Sequence, residues 1–596
     1  MLLLPLCAAD LAFRNISLAY GPKSILSGLS GSAKEGRLLA IMGPSGSGKT
    51  SLLNSLAGRV PEGKKKAPSL LSGERYLAGS PLLPDEALSA AYVKQEDLFF
   101  PHQTVQETLS FRVRLSHPEL GPKAHADLVG GLLESMSLEG CKDTIVGDAR
   151  TRGVSGGERK RLSIACQLLS APGIVLLDEP TSGLDSYQAE RLVKAVKRLA
   201  EEENKIVACV IHQPSQVVFD MFDDLCLVSG GRLMYFGPAA EAKAHLQSTG
   251  YARSETNQVG SAEFLLDAVS VDSEDKEGSL KRIDGFASSV PPPPPLEEAS
   301  EADGASQKRL ALRPRASIFR QFRLLLARSW REATRNKGTL AIKVVQQVMT
   351  ALIYGSIYQL KDTQSSIFDR FGLLSLVSIG TVNLGMAGTI RAFPKERKLI
   401  IAEQESALFS TIPYFMAKAI SEIPLSAGLS CLFGAIVYPL VGLDPAPAKF
   451  ISFLQSTTLI SIASQSAGMA ISSMSKSADV ALALFPPIVV LQIIFDGKNI
   501  NPANAPRVLS FLPKMSIVRW GWEALSINEF TGLKFSSKER RGRVLDTGES
   551  ALDQFSIRGP ISRATKPLAK ILGACWGLSI ACLMGTSSRY ARMSPP

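Results

Sequence analysis

The stretch Gly43-Pro44-Ser45-Gly46-Ser47-Gly48-Lys49-Thr50 leaves this sequence the fewest ways to fold. An apolar run, residues 38–42, precedes it and reads as a strand, and residues 51–56 after it read as a helix. The spacing G-x-x-x-x-G-K-[ST] between a strand and a helix has a mechanical basis. Glycines let successive backbone N–H groups curl around phosphate oxygens, the lysine reaches the β- and γ-phosphates, and the hydroxyl ligates Mg²⁺. The candidate nucleotide contacts are therefore Gly43, Pro44, Ser45, Gly46, Ser47, Gly48, Lys49, Thr50 and Ser51, with Thr50 also a candidate metal ligand. From about residue 10 to 267 short apolar runs alternate with helical patterns, as expected of an α/β domain with a parallel or mixed sheet.

A chain of 596 residues should hold more than one domain, and its 45% hydrophobic content is unevenly spread: the N-terminal half reads soluble, the C-terminal half apolar. Much of the formal charge of +11 sits around residues 308–337, just before the first long apolar run. Basic residues in that position fit the cytosolic edge of a membrane span better than a polyanion groove, so nucleic acid is not an expected partner. The eight cysteines form no C-x-x-C pair, and none falls in the polar stretch 496–567. Reduced thiols are expected, neither a disulfide framework nor a zinc site. Residues 1–9 are apolar but lack a basic start, and read as a first strand or a ragged terminus rather than a signal peptide.

The expected layout is an α/β P-loop ATPase domain over 1–270, a disordered Pro/acidic linker over 271–316, an amphipathic connecting helix over 317–338, and an all-α transmembrane domain over 339–596. The linker is read from its Ser, Glu, Asp and Gly content and the run Pro291 to Pro295. In the connecting helix Phe319, Phe322, Leu325, Leu326 and Trp330 form one apolar stripe among Arg320, Arg323, Arg328, Arg331 and Arg335, suited to the cytosolic membrane face. Apolar runs at about 339–360, 371–393, 412–441, 448–472, 478–495 and 568–586 predict six spans, both termini in the cytosol, and a long external loop over about 496–567. Loop charges agree at Arg391, Lys395, Arg397 and Lys398, and disagree at residues 538–543, which this topology places outside. Pro486-Pro487 should kink the fifth span, and the small residues Ser464, Ser466, Ala467, Gly468 and Ser472 should let helices approach closely. Residues 508–530, broken by Pro513, Arg519 and Glu523, read as a re-entrant or interfacial hairpin or a poorly formed extra span.

Further motifs carry chemistry. The apolar run 174–177 delivers Asp178-Glu179 to a strand end, where Asp178 can hold Mg²⁺ and Glu179 can orient or deprotonate the attacking water. Val154-Ser155-Gly156-Gly157-Glu158-Arg159-Lys160-Arg161 opens a helix, so the Ser155 hydroxyl, the N–H groups of Gly156 and Gly157 and a positive helix end can face one anion. With the loop at 43–50, these motifs match the ATP-binding cassette, and the chain resembles an ATP-binding cassette transporter of subfamily G, the white-brown half-transporters. The likeness extends to Ile211-His212-Gln213-Pro214-Ser215, Phe393-Pro394-Lys395-Glu396-Arg397 and Ile527-Asn528-Glu529-Phe530-Thr531-Gly532-Leu533, and its flavour is that of a plant or algal member.

The resemblance implies that Gln95 senses Mg²⁺ and water and couples to the membrane domain, that His212 contacts the γ-phosphate, and that Asp185 crosses a dimer interface. It makes Tyr20, upstream of Lys49 at the family's spacing, a candidate for stacking on adenine. It departs from the family at the last external loop, where disulfide-forming cysteines are missing, and at Gln167, where relatives often carry Glu. The implied cofactors are ATP and Mg²⁺. The implied assembly is a homodimer, or a heterodimer with a related half-transporter, in which Ser155 and Gly157 serve the partner's ATP. The expected activity is ATP-driven export of a small apolar, amphipathic or lipid-like solute, with membrane lipid as a further partner. The rival reading is a membrane ATPase that acts mechanically on a partner protein and moves no solute.

Overall fold

The computed structural model describes residues 10–60, 69–77, 80–82, 90–169, 172–249, 251, 260–272, 274–291, 316–406, 408–475, 477–500, 509–536 and 545–593. The chain divides into two compact units, one built from residues up to Ala316 and the other from Ser317–Ser588.

The first unit runs β1 (Leu11–Tyr20), β2 (Lys23–Ala33), β3 (Leu38–Met42), α1 (Lys49–Leu56), β4 (Ser69–Leu77), β5 (Ser80–Leu82), β6 (Ala90–Val93), α2 (Val105–Ser116), α3 (Pro122–Ser135) and α4 (Gly156–Leu168). It continues with β7 (Ile174–Asp178), α5 (Ser186–Glu203), β8 (Ile206–Val210), α6 (Gln216–Phe219), β9 (Asp224–Ser229), β10 (Arg232–Pro238), α7 (Ala242–Ser248), α8 (Ser261–Val269) and α9 (Lys276–Ser289). Six strands form a sheet in the order β10-β9-β3-β8-β7-β6, with only β10 antiparallel to its neighbour. All residues of β3, β7 and β8 are buried, as strands covered on both faces must be. The period of two divides β3 between two cores: Leu38, Ala40 and Met42 face the cluster that holds α2 to α5, while Leu39 and Ile41 face the one that holds α1 and the antiparallel sheet β2-β1-β4-β5.

The segment expected to be linker from residue 271 onward instead contains α9. Asp275 caps it by accepting from the Gly278 N–H at 2.9 Å, and Ile283 and Phe286, three residues apart, insert into the core of this unit. Two apolar side chains suffice for a helix that docks on an existing core, and they are diluted in a window read by composition. The remainder, 292–315 with Pro292 to Pro295, lies outside the described residues, as do residues 1–9 and the basic run 538–543.

The second unit is helical: α10 (Ile318–Arg335), α11 (Lys337–Ile357), α12 (Ser366–Glu405), α13 (Thr411–Val441), α14 (Pro447–Met474), α15 (Ala478–Ile494), α16 (Leu512–Met515), α17 (Ile517–Phe530), α18 (Gly548–Gln554) and α19 (Ser562–Met593). Among the described residues four helices, α11, α12, α13 and α19, contain stretches long and apolar enough to cross a membrane. The other two expected spans fall short for different reasons. α14 has 28 residues but is rich in Ser, Thr and Gln, and α15, which continues through Pro486 and Pro487, has only 17. α12 is 40 residues long and has Pro394 in its interior.

The apolar stripe of α10, expected at the membrane face, is only partly covered by protein. Phe319 is 74% exposed and Trp330 43%, while the buried face carries Gln321, Leu325, Arg328 and Ser329. Two of its polar members meet partners from other helices and turns: Arg328 Nη1 donates to the Glu403 carboxylate at 2.8 and 2.9 Å, and Gln321 Oε1 accepts from the Ser410 N–H at 2.9 Å. A buried ion pair with a satisfied amide lets the charged face turn inward.

Small residues bring α12 and α14 together as expected. A Cβ on Gly385 would lie 2.1 Å from Ser464 Oγ, and one on Gly468 3.0 Å from the Met386 carbonyl oxygen. Within 509–530 the chain forms α16 and α17. At 14 residues α17 is about 21 Å long, too short for a hydrocarbon core of about 30 Å, and it is buried along most of its length. Trp522 Nε1 donates to the Phe371 carbonyl oxygen at 3.2 Å and Ser378 Oγ to that of Val518 at 2.9 Å, fixing α17 on α12. Glu529 pairs with the buried Arg370, and Arg519 with Glu523 at 2.9 Å.

Candidate functional site

β3 ends at Met42 and the chain turns through three left-handed glycines, Gly43, Gly46 and Gly48, with φ of 152°, 76° and 101°. A side chain is excluded at Gly43 and strained at Gly48 by its left-handed backbone. A Cβ on Gly43 would lie 1.9 Å from the Val228 carbonyl oxygen, and one on Gly48 2.7 Å from Leu26 Cδ2. Lys49, at the start of α1, is 6% exposed, and its Nζ donates to the carbonyl oxygens of Gly43 and Pro44, each at 2.8 Å. Burial pushes its pKa below the usual lysine value, against the opposing charges of Glu179 and Asp178. The Ser47 hydroxyl is buried with no hydrogen-bond partner among the described residues. A tight glycine turn, a buried ammonium and an orphaned hydroxyl are the features an anionic phosphate chain would satisfy, so the residues present fit a nucleoside triphosphate.

β7, two strands along the sheet from β3, supplies both acids. Asp178 ends β7 and accepts from Thr50 Oγ1 at 3.0 Å, so the first helical turn after the loop and the end of β7 are in direct contact. Burial raises the pKa of Asp178; the Thr50 hydrogen bond lowers it and the charge of Glu179 raises it further. Glu179 follows with φ of 45°, a conformation that costs a non-glycine residue about 1 kcal/mol or more. Its N–H donates to the Val210 carbonyl oxygen of β8 at 3.1 Å, and its carboxylate accepts from Gln95 Nε2 at 2.8 Å. Lys49, Thr50, Gln95, Asp178 and Glu179 thus form one connected group.

The other predicted residues form a second group. Ser155 is the N-cap of α4, with a reciprocal capping box: its hydroxyl accepts from the Glu158 N–H and its own N–H donates to the Glu158 carboxylate. Asp185 caps α5 by accepting from the Gln188 N–H at 2.8 Å, and Gln188 Oε1 in turn accepts from the Gly157 N–H at 2.9 Å. Gln188 therefore ties Gly157 to Asp185, a link that the motif spacing did not indicate. His212 follows β8 and is exposed, and its neighbour Gln213 also has a left-handed φ of 45°. Tyr20 ends β1, half-buried against the core under the antiparallel sheet. Among the described residues no hydrogen bond joins Tyr20, His212, Asp185 or the 155–157 turn to the group around Lys49.

Sequence reasoning also passed over Lys160. It is 3% exposed, and its Nζ donates to the carbonyl oxygens of Lys94 at 3.2 Å and Gln95 at 2.8 Å and to the Asp97 carboxylate at 3.0 Å. A basic residue in a highly charged run looks solvated, and nothing in its spacing marks it as buried.

A phosphate cradle with strand-end acids, on a parallel sheet and in one chain with apolar helices, defines a class: a P-loop ATPase domain joined to a membrane domain. Residues 26–182 match the family model described as ABC transporter, and residues 320–530 the one described as ABC-2 type transporter. The chain is 39% identical over 575 residues to ABC transporter G family member 7 of Arabidopsis thaliana, spanning 93% of this chain and 78% of that one. Identity is 33% over 532 residues to the protein white of Drosophila melanogaster, covering 86% and 75% of the two chains. It is 31% over 545 residues to the broad substrate specificity ATP-binding cassette transporter ABCG2 of Sus scrofa, covering 86% and 81%. The chain belongs to the ABC transporter G family. It is an integral membrane protein in which a soluble domain binds and hydrolyses ATP to drive transport.

Proposed function

We propose that two such chains, or this chain and a related half-transporter, enclose two ATP molecules between cytosolic ATPase domains and export a lipid-like or amphipathic solute through paired sets of six spans. The observation that carries the catalytic half of this reading is the connected group Lys49–Thr50–Asp178–Glu179–Gln95 at the ends of β3 and β7. The N–H groups of residues 43–51, the Ser47 hydroxyl and Lys49 would hold the triphosphate, and Thr50, Asp178 and Gln95 would hold Mg²⁺. When bound, Mg²⁺ neutralises charge on the β- and γ-phosphate oxygens. Glu179, oriented by the Gln95 amide, takes the proton of the attacking water, and His212 steadies the γ-phosphate. Ser155, Gly156, Gly157 and Asp185 face the partner's nucleotide, and Tyr20 stacks on adenine.

The half-buried Asn383 and the exposed Gln346 among otherwise apolar helices support a solute with both apolar and polar parts. Glu179→Gln should leave ATP binding intact while hydrolysis falls by about 10² or more; a hydrolytically active variant would overturn the assignment. Lys49→Ala should weaken ATP binding itself, measured with a fluorescent nucleotide analogue. ATP-dependent uptake of labelled lipids and amphiphiles into inverted vesicles tests the transport half. ATPase activity without uptake of any compound would favour mechanical action on a partner protein.

A further inference from the structure

The chain contains two half-sites that are expected to work on different nucleotides, and they are joined through one buried side chain. The first is the Lys49 group, which ends at Gln95 and Glu179. The second is the 155–157 turn at the start of α4. Lys160 lies on α4 five residues beyond Ser155 and reaches across to the backbone on both sides of the Gln95 peptide plane, through the carbonyl oxygens of Lys94 and Gln95, and to Asp97. We propose that Lys160 is a positioning residue for hydrolysis: it holds the Gln95 backbone so that the Gln95 amide meets Glu179, and it makes that placement depend on where α4 sits.

Three physical points support this assignment. The first is saturation: an ammonium has three N–H donors, and here three acceptors surround it, all on the 94–97 segment. Secondly, both ends are buried, Lys160 to 3% exposure with an Asp97 side chain that is 10% exposed, so the contacts are not exchanged for water at little cost. The third is geometric. Residues 94–99 have no regular secondary structure of their own, and β6 ends at Val93, so Gln95 is held in place by its contacts rather than by a strand ladder. Any buried ammonium needs acceptors, but here two of the three are the consecutive carbonyls that flank Gln95, the residue that touches Glu179. The consequence is that α4, whose N-terminus is assigned to the partner's nucleotide, and Gln95, assigned to this chain's own, move together.

The inference rests on the catalytic roles proposed above for Gln95 and Glu179, and the experiment separates its failure from theirs. In full-length protein reconstituted in nanodiscs, Lys160→Met should lower kcat for ATP hydrolysis about tenfold or more while KM for ATP stays within about threefold. In a Gln95→Ala background the same substitution should cost less than about a further twofold, because the residue it acts through is gone. Lys160→Met leaves the buried Asp97 carboxylate without its ammonium partner, so Lys160→Met/Asp97→Asn, which removes that charge, carries the same expectations if the single variant does not fold. Unchanged kcat in either folded variant, or losses that multiply fully with Gln95→Ala, would overturn the proposal. A Glu179→Gln variant with full activity would instead overturn the underlying assignment.

Discussion

Ser155 and Thr104 occupy equivalent local positions, each closing a capping box with a glutamate three residues on, Glu158 and Glu107. Replacing either by alanine removes one hydrogen bond to a helix N-terminus and should cost about 1 kcal/mol. The two differ in what else they are assigned to do. Ser155→Ala should lower ATPase activity well beyond its loss of thermal stability, whereas Thr104→Ala should lower thermal stability alone. Equal ATPase losses in the two would leave Ser155 as a cap and nothing more. The same duality explains why single residues are hard to rank from sequence. Asp185 and Ser155 already have complete local roles as caps, and Glu179 and Gln213 are marked instead by left-handed backbone that their residue types do not favour.

Between elements, the decisive contacts are close helix approaches and buried ion pairs. Gly385→Ala should overpack the α12–α14 contact at a cost of about 1–3 kcal/mol, since its Cβ meets Ser464 Oγ and the Ser461 carbonyl oxygen. Gly428→Ala in α13, where a Cβ meets nothing within 4 Å, should be neutral or stabilising. Thermal unfolding of both in detergent compares them directly. Arg370→Met should strand the Glu529 carboxylate and cost about 3–5 kcal/mol, and the double variant Arg370→Met/Glu529→Met should recover much of it. These contacts also show what the sequence conceals. The loop at 43–50 was legible because phosphate binding dictates residue type and spacing together. The inward face of α10 was not, because Gln321 and Arg328 are polar and become buriable through partners such as Ser410 and Glu403, some 80 residues away in the chain. α17 was obscured in the same way by Arg519, Glu523 and Glu529, charges that read as solvent-facing until their partners are known.

For the molecule as a whole, the assignment of the 155–157 turn to a partner's nucleotide predicts that one chain is not a complete enzyme. Protein reconstituted at one chain per nanodisc should bind ATP yet hydrolyse it poorly, and activity should return when two chains share a disc. A fully active single chain would remove the need for a partner. The broad plan, an α/β ATPase domain followed by apolar helices, was readable from hydropathy, and the extent of the ATPase domain past residue 270 was not, because α9 joins its core with only Ile283, Phe286 and a cap. The length of α12 has a mechanical meaning as well. Forty residues make a rod of about 60 Å, roughly twice the thickness of a hydrocarbon core. The arm from Ser366 to Pro394 is about 42 Å, and a tilt of about 10° at Pro394 displaces its Ser366 end by about 7 Å. Pro394 supplies no N–H to the Ile390 carbonyl, which makes its turn the softest point along the lever. Stiffness from Ser366 to that point and compliance at it would turn a small push into a larger displacement at the far end of the helix.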